Sequence, residues 1–442
     1  MRKHSWLRLL ALALVLALTA VACAGESADT TEAPAATEAP AATEAPATTA
    51  APETTTTTEA PAETEPPAEA LSLLVWADAN RAPVFEAIAP AFEEATGVNI
   101  EVQIVDFGDI REQVQVAGPA GEGPDVFVGA HDWTGELAAN GVVRPITLGP
   151  NEGDFFQVGI DGFSYEGNLY AVPMATEAIA MYVNLDLVPE PPASIEEIAE
   201  LCPTLEGIEN CIGVPGGGDG GDLYHNIWLI TAQGGYIFGY DAASGYDTTD
   251  VGLDSEGAIA GAEVIAQLTA DGIMASTNYD TAKNLFLEGK QPFWVTGPWE
   301  RGTLNDSDLN WTVVKLPTIN GSTPAPFVGV QGVFLSAFAP NAVVAQSFLA
   351  DYVATTDVQR ALYDADPRNP ATQSVLDQLA DDVVVATFTL SGADGIPMPN
   401  VPEMGSVWGA GGDNLLALRN GDVDATTAMT TAADQVRELL GN

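Results

Sequence analysis

Few residues in this 442-residue chain have side chains that commonly do covalent or metal chemistry. It has three cysteines and three histidines, and their spacing lacks the four-ligand pattern of a structural zinc site. Gly-x-Ser-x-Gly, Walker A and His-Glu-x-x-His motifs are missing from the sequence. Residues 216–221 formally satisfy Gly-x-Gly-x-x-Gly, but no clear strand-to-helix pattern surrounds them, so a flexible glycine loop is the better interpretation. We therefore expect no cofactor, no metal and no catalysis, although the many carboxyl groups leave a chance glycosidase pair open.

The N-terminus indicates export. A positively charged start precedes an apolar run, residues 9–20, that ends in small residues just before Cys23. This pattern predicts a secretory signal peptide over residues 1–22, and the run is too short to span a bilayer. The residues before Cys23 resemble a bacterial lipobox, although Ala20 stands where that motif prefers Leu. Lipidation of Cys23 would anchor the chain to the outer face of the cell membrane, whereas a soluble secreted protein is the alternative.

Cys202 and Cys211 remain as one pair in a chain expected outside the cytoplasm, where disulfides persist. We predict a disulfide between them, with two free buried thiols as the alternative.

Residues 23–70 predict a disordered tether that follows the lipidated cysteine. After Cys23 they are rich in Ala, Thr, Glu and Pro, and they contain no Lys, Arg or aromatic residue. Such a segment cannot bury enough apolar surface to offset the entropy of ordering it. The net charge of −48 argues against nucleic acid and against an anionic lipid surface as partners. Contact with the membrane is therefore expected through the N-terminal lipid only.

Residues 71–442 are too many for one hydrophobic core, so two lobes are expected. Strand patterns at 71–76, 98–104 and 126–128 alternate with helical patterns, and Gly97 is expected to end the first helix. This order predicts an α/β lobe with a largely parallel sheet. Further helical segments are expected at 256–271, 281–288, 343–352 and from 414 to the C-terminus. Ligands of open α/β sheets bind beyond the carboxyl ends of strands, so the residues after Trp76 and Val128 are the first candidates for a site.

An ordered set of short segments runs through the folded part of the chain. The segments are Gly123-Pro-Asp125, Ala130-His-Asp132, Tyr170–Ala178, Gly234-Gly-Tyr236, Asp250-Val-Gly252, Gly297-Pro-Trp299, Pro326–Val330 and Met398–Trp408. In order and spacing the set resembles the maltose/maltodextrin-binding proteins of bacterial ABC importers. The resemblance implies a two-lobed periplasmic-binding-protein fold of type II, in which each lobe is a mixed sheet flanked by helices. The first lobe would take 71–175 plus about 331–375, and the second 176–330 plus about 376–442.

The resemblance also implies a function. A monomer would close on a malto-oligosaccharide in the cleft between its lobes and deliver it to the permease subunits of the importer. Alternatives are the same fold binding trehalose, a cyclodextrin or another glucan, a carbohydrate-active enzyme, or a structural or adhesive surface lipoprotein.

The residues that align with the family's sugar contacts combine polar groups for the hydroxyl rim of a sugar with flat aromatics for its C–H faces. They are Asp78, Asn80, Arg81, Asp132, Glu177, Asp222, Tyr224, Tyr279, Trp299, Met398 and Trp408. Most of them have a structural alternative. Residues 78–81 can be a solvated loop, Asp132 a helix N-cap and Glu177 part of a hinge salt bridge, while the tryptophans can be core residues.

Several positions depart from the family pattern. Gly129 stands where the family has an aromatic platform, and Trp133, where an arginine is common, is expected to restore that platform as a ligand contact. Gly412 replaces a long polar side chain of some relatives, and Ile110 and Arg111 replace acidic residues. These departures leave the preferred chain length and linkage of the sugar open.

Overall fold

The computed structural model describes residues 71–216, 221–241 and 245–441. The predicted signal peptide, the lipidation site Cys23 and the tether up to residue 70 lie outside the described residues. The interior of the glycine loop, residues 217–220, also lies outside them.

The strands are numbered in chain order. They are β1 (Ser72–Ala77), β2 (Asn99–Ile104), β3 (Val126–Ala130), β4 (Ser164–Tyr165), β5 (Asn168–Leu169), β6 (Ala171–Glu177), β7 (Ala180–Asn184), β8 (Ile212–Gly213), β9 (Phe238–Asp241), β10 (Gly245–Val251), β11 (Phe293–Thr296), β12 (Trp311–Val314), β13 (Phe327–Leu335), β14 (Asn369–Pro370) and β15 (Ile396–Pro397).

The helices are numbered in the same way. They are α1 (Ala82–Thr96), α2 (Phe107–Ala120), α3 (Thr134–Ala139), α4 (Gln157–Gly162), α5 (Ile195–Leu201), α6 (Ile227–Thr231), α7 (Glu256–Ala270), α8 (Tyr279–Leu287), α9 (Arg301–Asn305), α10 (Ala342–Phe348), α11 (Thr356–Ala365), α12 (Gln373–Asp377), α13 (Val383–Ala393), α14 (Met404–Arg419) and α15 (Ala425–Leu439). Short 3₁₀ turns, among them His131–Trp133 and Pro298–Glu300, connect some of these elements.

The first lobe is built on a mixed sheet with strand order β14-β6-β13-β3-β1-β2, in which β15 also pairs with β13. Strand β1 is parallel to β2 and β3, as the strand–helix alternation predicts. Strand β13, however, runs antiparallel to both β3 and β6, so the sheet is not largely parallel. The difference arises because β13 comes from much later in the chain and enters the sheet from the other lobe. Local alternation of strands and helices cannot reveal such a pairing.

The second lobe is built on a smaller mixed sheet with strand order β12-β7-β11-β8. Strand β7 is antiparallel to its neighbours β11 and β12, whereas β8 is parallel to β11. Trp228 and Phe293 are fully buried in its main core, which also holds buried residues of α14 and α15. The fold is thus mixed α/β, with a separate core on each large sheet.

The chain passes between the two sheets near the predicted lobe boundaries. It leaves the first sheet at Glu177 and enters the second at Ala180, and it returns between Val314 and Phe327. After β14 it continues through α12 and α13, and Phe388 of α13 packs in a core cluster of the second lobe. The exact lobe boundaries stay a prediction.

Local sequence explains several element ends. Phe85 and Phe92 are buried on one face of α1, and Gly97 ends the helix with a φ of 71° that favours glycine. The helix predicted from residue 414 begins earlier, at Met404. Its first turns contain four glycines, which have low helix propensity, so the sequence pattern alone does not indicate a helix there.

Cys202 and Cys211 are joined in a disulfide, and their Cα atoms lie 5.9 Å apart. The bond ties the end of α5 to the start of β8.

Two features are absent from the described residues. None of the helices there is long and apolar enough to cross a membrane. In the same part of the chain, no group of three or more His, Cys, Asp or Glu side chains is placed to hold a metal ion.

Candidate functional site

The segments that follow three strands meet in the cleft between the lobes. Residues 78–81 follow β1, the turn His131–Trp133 follows β3, and the turn Pro298–Glu300 follows β11. This is the expected place for a site in an α/β sheet, because strand ends present backbone and side chains that no further strand covers.

Charged side chains form a continuous network on the first-lobe side of the cleft. Arg81 Nη1 lies 2.5 Å from Asp78 Oδ2, and Arg81 Nη2 lies 2.8 Å from Asp366 Oδ2. Arg368 Nε lies 2.9 Å from the same Asp366 oxygen, and Arg368 Nη1 lies 2.7 Å from Glu177 Oε2. The side chains of Arg81 and Asp366 are only 4% and 3% exposed, so solvent screens these pairs weakly. Loss of one partner would leave a buried charge unpaired.

The network keeps the carboxyl group of Asp78 ionised. Burial alone would raise the pKa of its carboxyl group, but the guanidinium groups of Arg81 and Arg368 hold that pKa below its ordinary value. Asp78 is therefore an ionised acceptor, already oriented before any ligand binds.

Aromatic side chains dominate the second-lobe side. Trp299 Nε1–H donates to Tyr279 Oη at 2.6 Å, and Tyr279 Oη–H donates to Glu300 Oε1 at 2.7 Å. The Tyr224 ring centre lies 6.1 Å from that of Trp299. The Tyr224 hydroxyl is buried and has no hydrogen-bond partner among the described residues. It is therefore free to bond to a ligand.

A cavity of about 270 Å³ opens on this side. It is lined by Pro215, Gly216, Gly221, Asp222, Leu223, Tyr224, Tyr279 and Trp408. Asp222 accepts hydrogen bonds from the His225 backbone N–H at 2.8 Å and from His225 Nδ1 at 2.6 Å. Burial opposes the ionisation of Asp222, but its interactions with His225 lower the pKa below the ordinary value. Asp222 thus presents a fixed carboxylate at the edge of an aromatic cavity.

Two contacts join the halves directly. Trp408 Nε1–H, on α14, donates to Asp132 Oδ2 at 3.2 Å. Arg368 Cζ lies 5.6 Å from the centre of the Trp299 ring, which is within cation–π range. The charged half and the aromatic half therefore share one cleft.

Asp132 and His131 have shifted pKa values. Burial raises the pKa of Asp132 to about 6, against the opposing effects of Arg111 and the Trp408 hydrogen bond. Burial lowers the pKa of His131 to about 4, so its ring is neutral near pH 7. Its Nε2–H donates to the Met398 carbonyl at 2.9 Å, and its Nδ1 accepts from the Val330 N–H at 2.9 Å. His131 thus positions the Asp132 turn against β13.

The sequence profile of the bacterial extracellular solute-binding proteins matches residues 87–387. The chain belongs to this family. It is accordingly an extracellular solute-binding protein and not an enzyme, as the missing catalytic motifs predict.

Several characterised relatives are similar over most of the chain. The galactooligosaccharide-binding protein of Bacillus subtilis (strain 168) is 27% identical over 377 residues, which cover 83% of this chain and 88% of the relative. The maltotriose-binding protein of Pyrococcus abyssi (strain GE5 / Orsay) is 28% identical over 357 residues, 76% of this chain and 75% of the relative. A maltooligosaccharide ABC transporter solute-binding lipoprotein of Streptococcus pneumoniae (strain ATCC BAA-255 / R6) is 26% identical over 381 residues, 83% of this chain and 88% of the relative.

Most of the predicted contact residues of this solute-binding protein come together in the cleft. Linked there by direct contacts or by the shared cavity are Asp78, Arg81, Asp132, Glu177, Asp222, Tyr224, Tyr279, Trp299 and Trp408.

Three further predicted contacts, Asn80, Met398 and Trp133, are not joined to this set through their side chains. Asn80 is exposed, and its backbone N–H donates to Asp78 Oδ1 at 3.0 Å. Met398 is buried and offers its carbonyl oxygen to His131. Trp133 is 6% exposed and packs in the first-lobe core, with its ring centre 5.1 Å from that of Phe107. A Cβ atom at Gly129 would lie 2.7 Å from the Trp133 ring, so the tryptophan fills the space that a platform side chain at 129 needs.

Sequence reasoning missed Asp366, Arg368 and Gln331. Gln331 Nε2–H donates to Glu177 Oε1 at 3.0 Å, while Arg368 holds the other oxygen of that carboxylate. One signal was available for Arg368. The chain has only 14 Lys and Arg residues against 62 Asp and Glu, so an arginine close to the predicted lobe boundary near residue 375 is an unusual placement.

Proposed function

We propose that the protein captures malto-oligosaccharides outside the cell and delivers them to the permease of an ABC importer. The observation that carries this proposal is the meeting of a carboxylate-rich face and an aromatic face in one cleft. Carboxylates accept strong hydrogen bonds from sugar hydroxyls, and aromatic rings cover the C–H faces of a pyranose. A site with both kinds of surface suits a neutral oligosaccharide.

Two observations favour an α-glucan over other oligosaccharides. Two of the relatives described above are named for maltotriose or maltooligosaccharide, at 28% and 26% identity. The ordered segments from Ala130-His-Asp132 to Met398–Trp408 also resemble the maltodextrin-binding proteins. A galacto-oligosaccharide is the second candidate, because the relative named for that ligand is 27% identical.

Binding works through closure of the lobes. A sugar that touches Asp132 on one side and Trp299 on the other makes all its contacts only when the lobes are together. It therefore binds the closed form more tightly and shifts the population toward that form. A shift from mostly open to mostly closed takes about 5.5 kcal/mol of differential binding.

We also propose that Cys23 is lipidated and holds the protein at the outer face of the cell membrane. A lipobox-like sequence precedes Cys23, and the Streptococcus pneumoniae relative is named a lipoprotein. Cys23→Ala is expected to move the full-length protein from the membrane fraction to the soluble fraction without changing its sugar affinity. Membrane retention of that variant would contradict the anchor.

The ligand proposal is tested by thermal shift and calorimetry with maltotriose and with a β-linked galactotriose. Maltotriose at about 100 times its Kd should stabilise the protein by about 2.7 kcal/mol. A shift with galactotriose alone would replace the proposal by its second candidate. No shift with either sugar would overturn both.

A further inference from the structure

A chain of hydrogen bonds holds the nitrogen edge of the Trp299 ring. Trp299 Nε1–H donates to Tyr279 Oη at 2.6 Å, and Tyr279 Oη–H donates to Glu300 Oε1 at 2.7 Å. Lys283 Nζ lies 2.8 Å from the other carboxylate oxygen of Glu300, whose side chain is only 5% exposed. Hydrogen bonds to ionised groups are stronger than those between neutral groups, so the chain is anchored at its far end by a buried carboxylate and its lysine.

The chemistry of the partners sets the direction of each bond around the Tyr279 hydroxyl. The Trp299 nitrogen can only donate, and the Glu300 carboxylate, paired with Lys283, can only accept. The single proton of the Tyr279 hydroxyl therefore goes to Glu300. The hydroxyl of the fully buried Thr296 lies 3.1 Å from Tyr279 Oη and must then be the donor in that contact. One donated and two accepted bonds fill the capacity of a hydroxyl, which leaves none for a sugar.

The opposite edge of the Trp299 ring is held by close packing. A Cβ atom on Gly297 would lie 1.9 Å from Trp299 Cζ3 and 2.2 Å from Trp299 Cη2. The six-membered part of the indole therefore lies directly on the bare backbone of Gly297. The Gly297 φ of −97° is open to other residues, so the ring and not the backbone angle requires a glycine here. The indole is thus fixed at both edges before a ligand binds.

We propose that Glu300 is a positioning residue for sugar binding, which acts through the Tyr279 hydroxyl and holds the Trp299 ring in its stacking orientation. This role rests on the proposed function, in which Trp299 contacts the sugar. The Tyr279 ring lines the cavity, but its hydroxyl serves Trp299 and not the sugar. A ring that is already fixed loses little conformational freedom when a ligand binds, so more of its contact energy appears as affinity.

Two variants of Glu300 test the acceptor. Glu300→Gln and Glu300→Leu both remove the charge opposite Lys283, which is 28% exposed and can turn to solvent. Only glutamine keeps an oxygen that accepts from the Tyr279 hydroxyl. Calorimetry should show a maltotriose Kd about tenfold weaker than wild type for Glu300→Leu and within about threefold for Glu300→Gln. Equal affinities of the two variants would overturn the positioning role.

A double-mutant cycle tests whether Tyr279 acts through Trp299. Tyr279→Phe keeps the ring and removes the hydroxyl, and it should weaken maltotriose binding about tenfold. In a Trp299→Phe background the same change should alter the Kd by less than about twofold, because phenylalanine has no N–H to hold. The same loss in both backgrounds would mean that the hydroxyl binds the sugar itself. That result would overturn the inference and leave the proposed function standing.

The two tests are independent of each other and of the proposed function. The cycle decides the inference if Glu300→Leu does not fold, because Tyr279→Phe leaves the ion pair of Glu300 and Lys283 intact. Absence of maltotriose binding by the wild-type protein would instead overturn the proposed function, and the inference with it.

Discussion

The two halves of the cleft are built from different chemistry. On the first-lobe side, Asp78 and Glu177 are already paired with arginines before any ligand arrives. On the second-lobe side, the rings of Tyr224 and Trp299 lie together, and the Tyr224 hydroxyl has no partner among the described residues. The charged half is therefore held in place by its own ion pairs, whereas the aromatic half leaves the Tyr224 hydroxyl available to a ligand.

Substitutions on the two sides of the cleft should therefore affect different properties of the protein. Loss of a charged residue should first lower the stability of the protein, because its partners are buried. Loss of an aromatic residue should first lower the affinity for the sugar, because an aromatic face supplies apolar contact area.

The largest expected effect is on stability, in Arg368→Met. The variant leaves Glu177 and Asp366 without one of their cations, and Asp366 is nearly fully buried. We expect the free energy of unfolding of the unliganded protein to fall by about 3–5 kcal/mol, measured by denaturant titration. Arg360→Met is the control, because Arg360 forms an exposed pair with Asp364 on α11, and such pairs contribute about 1 kcal/mol or less. Equal losses in the two variants would show that the network does not stabilise the first lobe.

The next effect is on affinity, in Trp299→Ala. The maltotriose affinity should fall by at least about 2 kcal/mol, which is roughly 30-fold in Kd, while the melting temperature of the unliganded protein changes little. Phe338→Ala removes an exposed ring just after β13, whose last residue pairs with the first residue of β3 and so lies at the other end of that strand from the Asp132 turn, and it should leave the affinity unchanged. A Trp299→Ala protein that melts early and binds normally would make Trp299 a core residue and remove the contrast between the halves.

The smallest effect is on the pH dependence of stability and affinity. It comes from Asp132, which Trp408 contacts from the other half of the cleft. Because the pKa of Asp132 is about 6 in the folded protein, above its ordinary value, the folded state holds a proton that the unfolded state releases. The stability from this group is present in acid and is lost as the pH rises from about 4 to about 6. Sugar hydroxyls donate best to the ionised carboxylate, so maltotriose affinity should instead rise, by up to about tenfold, between pH 5 and pH 7.

Calorimetry at both pH values, with Asp132→Asn as the comparison, checks this assignment. The variant should bind with little pH dependence. His131 does not explain a transition near pH 6, because its pKa is about 4. A pH profile that survives in Asp132→Asn would exclude Asp132 as its source.

Nearby residues are enough to predict the local elements and the kinds of residue in the cleft. The apolar spacing of α1 and its end at Gly97 follow from nearby residues, because helix periodicity and a positive φ are local properties. The polar residues after β1 and β3 were found from their places at strand ends. The candidates Tyr224, Tyr279, Trp299 and Trp408 came from family resemblance alone.

Which of these residues act together depends on how the folded chain packs. Arg81 meets Asp366, and Glu177 meets Arg368, across long stretches of chain. No local pattern marks such pairs, because they form only when β14 joins β6 in the first sheet. The burial of Trp133 could not be predicted from the sequence either, because the space above Gly129 that its ring fills exists only in the packed lobe. The contact between Gly221 and Gly412 of α14 could not be predicted either. A glycine in the sequence does not reveal which backbone will occupy the space that its missing side chain leaves.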